Sequence, residues 1–270
     1  MPKWIPAAIL TCIFSMIVLL TMGTAFGTSV VVHVDEKHIT IAADDLATRM
    51  FATNSGPYAA CKIVPLGQAA FAVAGNIDYK RTDPSDTLAD WDTRSDARTA
   101  FLHHIGDLGS TAAEWASRAA SHYSLFLSAQ PARVRELAAA NRQHLLVLGT
   151  FAGWDRHKQA SVMFEWVYLD SSTTPAIKTR SFVLPSRSLP YTTNATTQDL
   201  IEGNPVRSMQ VLADWQLASE TFPSPERGWR WLEFLIQMTS DYDRTVGREV
   251  NVLDLTPREN ANWLQNYSCR

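Results

Sequence analysis

Apolar and polar positions fall along the chain in blocks whose period changes. Residues 29–34 and 38–43 are β-branched runs joined by the polar Asp35-Glu36-Lys37, a pattern that predicts a β-hairpin. Residues 62–64 and 69–74, separated by Pro65 and Gly67, predict a second one. From Gly75 to Asp96 the chain is polar and carries Pro84, so a loop or a broken helix start is expected. The period then becomes helical. Residues 111–127 place Ala112, Trp115, Ala119, Tyr123 and Phe126 at steps of three and four, and residues 133–140 are rich in helix formers. Strand-like runs return at 144–152, 160–169 and 178–184. Residues 198–217 and 226–242 predict helices, the second with Trp231, Leu235, Met238 and Tyr242 on one stripe. A strand at 250–255 and a short helix at 257–266, capped by Thr256, complete the pattern.

Runs of strands followed by runs of helices predict an α+β fold rather than alternating βαβ units. Two stacked sheets with helices outside, a four-layer αββα sandwich, would bury every apolar stripe above. Residues 28–270 read as one domain, with no repeat and no long linker. With 46% apolar and 10% aromatic residues, the chain can build one sizeable core, which excludes wholesale disorder. A net charge of -3 and the lack of a dense Lys/Arg run argue against a nucleic-acid partner.

The first block has its own logic. Lys3 precedes an uncharged, mostly apolar run at 7–22, and Ala25-Phe26-Gly27 puts small residues where a signal peptidase accepts them. Residues 1–27 are therefore expected to be an export signal or N-terminal propeptide, sending the protein to the periplasm or the extracellular space. The alternative is a membrane anchor through residues 4–26, since no Asp, Glu, Lys or Arg occurs from Trp4 to Val34. A membrane is a partner only in that case. Cys12 lies inside the apolar run, which fits a lipoprotein site poorly. Cys61 and Cys269 remain after cleavage, and either pair or stay free.

Cleavage after Gly27 would make Thr28 the first residue. A free N-terminal threonine carries a nucleophile and a base together: its hydroxyl attacks, and its own α-amine, with a pKa of roughly 7.7–8.0, takes the proton. A nearby cation would lower the cost of the alkoxide, a carboxylate would hold that cation, and backbone N–H groups would receive the oxyanion.

Gly27-Thr28-Ser29-Val30-Val31, Ile41-Ala42-Ala43-Asp44, Ala47-Thr48, Lys62-Ile63 and Ala74-Gly75 resemble, in order and in most spacings, the opening of proteasome beta subunits and their bacterial relatives, within the N-terminal-nucleophile hydrolases. The resemblance implies Thr28 as nucleophile, Lys62 as the cation tuning its hydroxyl, Asp44 as the carboxylate orienting Lys62, and Gly75 as oxyanion donor. Asp243-Arg244-Thr245-Val246-Gly247, followed by Val250-Asn251-Val252, is similar to a later stretch of that family and implies Asp243 as support for the Thr28 amine. The chain departs from the family at Leu46, where an arginine is common, and at Val246, where a serine is expected.

No cofactor is implied, and no metal: His103-His104 on a helix would point to different faces, and no second ligand pair accompanies them. The expected activity is hydrolysis of peptide or small amide bonds through an acyl ester on Thr28. The alternatives are a small-amide amidase of the same fold and an inactive relative serving as a binding or structural subunit. Assembly into a homo-oligomer is implied by the resemblance alone. The tryptophans of Phe164-Glu165-Trp166 and Trp229-Arg230-Trp231 are expected to fill the core.

Overall fold

A computed structural model describes residues 29–47, 58–81, 88–129, 143–155, 157–170, 175–184, 191–194, 229–242 and 246–269. Thr28, Thr48 and Asp243, and the helices expected at 133–140 and 198–217, lie outside the described residues. Among the described residues strands dominate: β1 (Val30–Val34), β2 (Ile39–Asp44), β3 (Leu46–Ala47), β4 (Tyr58–Ala59), β5 (Ile63–Leu66), β6 (Ala69–Gly75), β7 (Asp78–Tyr79) and β8 (Trp91–Asp92) precede the first described helices. Those are α1 (Thr93–His103) and α2 (Leu108–Ala129), followed by β9 (Gln143–Trp154), β10 (Ala160–Asp170), β11 (Ala176–Leu184) and β12 (Tyr191–Asn194). Then come α3 (Arg230–Tyr242), β13 (Val250–Leu255) and β14 (Asn262–Gln265). The fold is mixed α/β, with three helices among the described residues and two open five-stranded sheets.

The first sheet runs β12-β1-β2-β13-β14 and the second β11-β10-β9-β6-β5, all neighbours antiparallel. Three buried clusters account for the pattern. Val30, Val32, Ile39 and Ile41 of the first sheet meet Ala70, Ala72, Leu148 and Val162 of the second. The other face of the second sheet, with Phe71, Val73 and Phe151, packs on Ala97, Ala112, Trp115 and Ala119 of α1 and α2. The other face of the first sheet, with Val31, Ala42, Val250 and Val252, packs on Leu232, Leu235 and Ile236 of α3. β1 and β2 are thus covered on both faces, which is why they read as continuous apolar runs instead of alternating ones. Each fully buried Val or Ile contributes roughly 1.5–3 kcal/mol of transfer free energy.

Several expectations need correction. The last segment is a strand, not a helix. Thr256 does accept the Glu259 N–H at 3.2 Å in a turn, but β14 then pairs with β13. Its exposure alternates, with Trp263 turned toward the cluster between the sheets and Asn262 and Leu264 outward. Pro65 does not end a strand. It sits inside β5, an edge strand, with its side exposed, where the missing N–H costs no ladder bond. α1 begins at Thr93, inside the stretch read as a loop or a broken helix start, because the Asp92 carboxylate caps the Arg94 N–H at 2.8 Å. On α3 Leu235 is buried as expected and Met238 is half-buried, and Leu232, Ile236 and Thr239 are buried beside them. Trp115 is fully buried at the centre of the α2 stripe, as expected.

Candidate functional site

Asp44 is the last residue of β2, at the edge where β1 begins and where Val250 opens β13. Its carboxylate is fully buried and collects four donors. Oδ1 accepts the Ser29 N–H at 2.8 Å; Oδ2 accepts Lys62 Nζ at 2.8 Å, the Gly247 N–H at 2.8 Å and the Leu46 N–H at 3.2 Å. A buried carboxylate is tolerated only when its lone pairs are filled in this way. The Ser29 contact sets the pair at the entry to β1. It is reinforced by the Asp44 N–H, which donates to the Ser29 carbonyl at 3.2 Å.

Lys62 directly precedes β5 and reaches Asp44 across the gap between the two sheets. Both side chains are 0% exposed. Burial pushes the Lys62 ammonium well below its ordinary basicity, and the opposing pull of Asp44, with a smaller one from Asp45, restores only part of it. The result is a cation that is held in place yet gives up its proton more readily than a surface lysine. It is not the edge-strand charge that discourages aggregation, the ordinary role for a lysine near an edge.

Gly75 closes β6 with φ +92°, in the left-handed region. A Cβ there would stand 2.7 Å from the Leu146 carbonyl oxygen, so only glycine makes this turn. The turn redirects the chain into Asn76, whose N–H and Nδ2 both donate to that same carbonyl, at 3.1 and 2.8 Å. Beyond it an apolar pocket opens, walled by Tyr79, Trp91, Tyr123 and Phe126.

The structure adds residues that the sequence reading did not assign. Gly247 is a donor to Asp44, and a Cβ on it would collide with Asp45 Oδ1 and lie 2.8 Å from the Leu46 nitrogen. Its place in the 243–247 stretch, just ahead of a strand, was the hint in the sequence. Asp45 is nearly buried beside Glu249; burial first, then the charges of Glu249 and Asp44, lift its carboxyl above the ordinary value. Val246 is buried in the apolar cluster under α3, while Leu46 meets Asp44 through its backbone N–H, which any residue but proline would supply. Cys61 and Cys269 are disulfide-bonded across 208 residues of sequence, which settles the pairing that sequence left open.

Away from this site, His103 and His104 do converge: α1 ends between them, and both rings reach Glu114 at 2.9 Å. Among the described residues no group of three or more His, Cys, Asp or Glu could hold a metal ion, and no helix is long and apolar enough to cross a membrane. The chain matches no family model, and no curated protein matches it.

Proposed function

We propose that this chain is an exported N-terminal-nucleophile hydrolase, built as a four-layer αββα sandwich, that cleaves peptide or small amide bonds through Thr28. The observation that carries the reading is the fully buried Asp44–Lys62 pair, with Asp44 hydrogen-bonded to the amide of Ser29. Lysine is costly to bury, and a pair replaced by apolar residues is often no less stable, so stability alone does not account for it. Beside a free N-terminal threonine it has a use: the ammonium stabilises the alkoxide, and the α-amine takes the hydroxyl proton. The hydroxyl oxygen attacks the amide carbonyl, the tetrahedral oxyanion is received by the Gly75 N–H, the amine leaves with a proton, and water releases the acyl group from Thr28. Asp243 supports the α-amine in this scheme.

The Cys61–Cys269 bond supports an oxidising, exported location. An enzyme there works without a cytosolic unfoldase, so small or unfolded peptides and simple amides are its substrates. The aromatic walls of the pocket beyond Gly75 favour an apolar acyl side chain. A second reading, an inactive relative acting as a binding or structural subunit, is favoured by Val246, which puts an apolar side chain where the resemblance calls for a hydroxyl.

The test is the intact mass and N-terminal sequence of the exported protein, followed by turnover of peptide-amide reporters with apolar or acidic acyl residues. A chain beginning at Thr28 that cleaves apolar reporters, and loses this on Thr28→Ala, is the expected result. A chain that begins elsewhere, or an authentic Thr28 terminus with no turnover, selects the inactive relative.

A further inference from the structure

Lys62 starts from a stretch of backbone that is gripped on both flanks. On one side its own carbonyl accepts the Val73 N–H at 3.0 Å, which fixes it to β6. On the other, Cys61 is held twice. Arg94 Nη1 donates to the Cys61 carbonyl at 2.8 Å, and the Cys61 sulfur is bonded to Cys269.

Both grips are themselves fixed. Asp92 takes the Arg94 fork in two parallel bonds, Nε to Oδ1 at 2.9 Å and Nη2 to Oδ2 at 2.7 Å, while the same carboxylate caps α1. A bidentate fork of this kind sets direction as well as distance, which a lysine could not do. Cys269 ends a tail locked by Asn251, a wholly buried residue of β13. Asn251 Oδ1 accepts the N–H groups of Tyr267 and Ser268 at 2.8 and 3.1 Å, and Nδ2 donates to Ser268 Oγ at 2.8 Å. Its neighbour Val250 is the strand partner of Asp44. A closed circuit results: Asp44 to β13, through Asn251 to the tail, across the disulfide to Cys61, and back through Lys62 to Asp44.

We propose that Arg94, aimed by Asp92, and the Cys61–Cys269 bond are positioning elements for Lys62, fixing the peptide from which its ammonium reaches Asp44. The inference rests on the reading of Lys62 as the cation that serves Thr28. A charge-assisted bond keeps its strength only over a few tenths of an ångström, and a displacement of about 1 Å at a reacting centre costs up to about a hundredfold in rate. Tethers outside the site are therefore enough to govern it. Among the described residues the charged groups acting on Lys62 are Asp44 and Asp45, and neither belongs to the tethers, so their charges stay in place when a tether is cut.

The experiment uses the chain beginning at Thr28, with Arg94→Met, Arg94→Lys and Cys61→Ser/Cys269→Ser variants and two readouts. The first is the pH titration of the Lys62 side-chain carbon in lysine-labelled protein, the resonance being identified by its loss in Lys62→Arg. The second is kcat and KM on a peptide-amide reporter. Arg94→Met is expected to lower kcat about ten- to a hundredfold with KM nearly constant, and to move the Lys62 titration down by about half a pH unit or more as the ion pair loosens. Arg94→Lys, which keeps one donor, falls between it and the parent, and the cysteine variant shifts the titration in the same direction. A folded Arg94→Met protein with parental titration and kcat overturns the proposal; where Arg94→Met does not fold, Arg94→Lys is read by the same rule. Should Lys62→Arg itself keep parental kcat, the catalytic reading of Lys62 falls, and the titration alone decides on Arg94.

Discussion

β2 is clamped at both ends by a carboxylate bonded to a side-chain nitrogen, and the two clamps share a geometry but not an environment. At one end Asp44 meets Lys62 at 2.8 Å with both side chains wholly buried; at the other Asp254 of β13 meets His38 at 2.9 Å, with His38 48% exposed. Asp254 also accepts Thr40 Oγ1 at 3.2 Å, so it too bridges β2 and β13. Separation is nearly equal, so burial decides what each pair does. Water screens the outer pair to a worth of about 0–1 kcal/mol. The inner pair has lost that screening, and each partner makes the other's burial tolerable.

The largest effect expected follows from breaking the inner pair. Lys62→Ala should cost about 3–5 kcal/mol in denaturant unfolding, because Asp44 is left buried and uncompensated. Asp44→Asn/Lys62→Met, which removes both charges, should recover most of that loss while turnover stays absent. A double variant as unstable as the single would show that the pair is structural after all. Gly247→Ala should come next, at about 2–4 kcal/mol, since the added Cβ meets the Leu46 nitrogen at 2.8 Å and the backbone cannot yield without releasing Asp44. Denaturant midpoints at constant slope would measure it.

Asp45 sharpens the comparison through pH. Its carboxyl is raised above 3.8 by burial and by Glu249 and Asp44. Between 3.8 and the raised value the folded state therefore holds more protons than the unfolded one, and stability is lost as pH rises through that window. Asp45→Asn should accordingly stabilise the protein at neutral pH, by up to about 1 kcal/mol, and the gain should vanish in melts taken below the window. A gain that persists there would point to packing instead of charge. The smallest effect belongs to the outer clamp: His38→Ala should change unfolding free energy by less than about 0.5 kcal/mol. A cost near that of Lys62→Ala would erase the distinction between the two ends.

How much of this was legible along the chain depended on the range of the interaction. The hairpin of β1 and β2 was readable because Val30 to Val34 and Ile39 to Ala43 carry their preference locally. The α2 stripe was readable for the same reason. α1 left a local signal too, Asp92 at the cap, which the polar surroundings obscured. β14 was misread because Thr256-Pro257 is a good helix start, and only pairing with β13 and the placement of Trp263 decide for a strand. Asp44, Lys62 and Gly75 were singled out by resemblance. Gly247 and Asn251 stood in a resembling stretch without a role, and Arg94 stood outside it, because nothing in their immediate neighbours says what they touch.

The sequence by itself determined the hairpin of β1 and β2, the stripe of α2 and the apolar faces that must be buried. These follow from periodicity and short-range chemistry, which survive in one dimension. Only the tertiary structure decided that Lys62 is wholly buried against Asp44, that Gly247 comes from 203 residues away to donate to the same oxygen, and that Cys61 joins Cys269. Those depend on how two sheets stack, and the dielectric around a charge is a property of everything packed about it, not of the residues beside it in the chain.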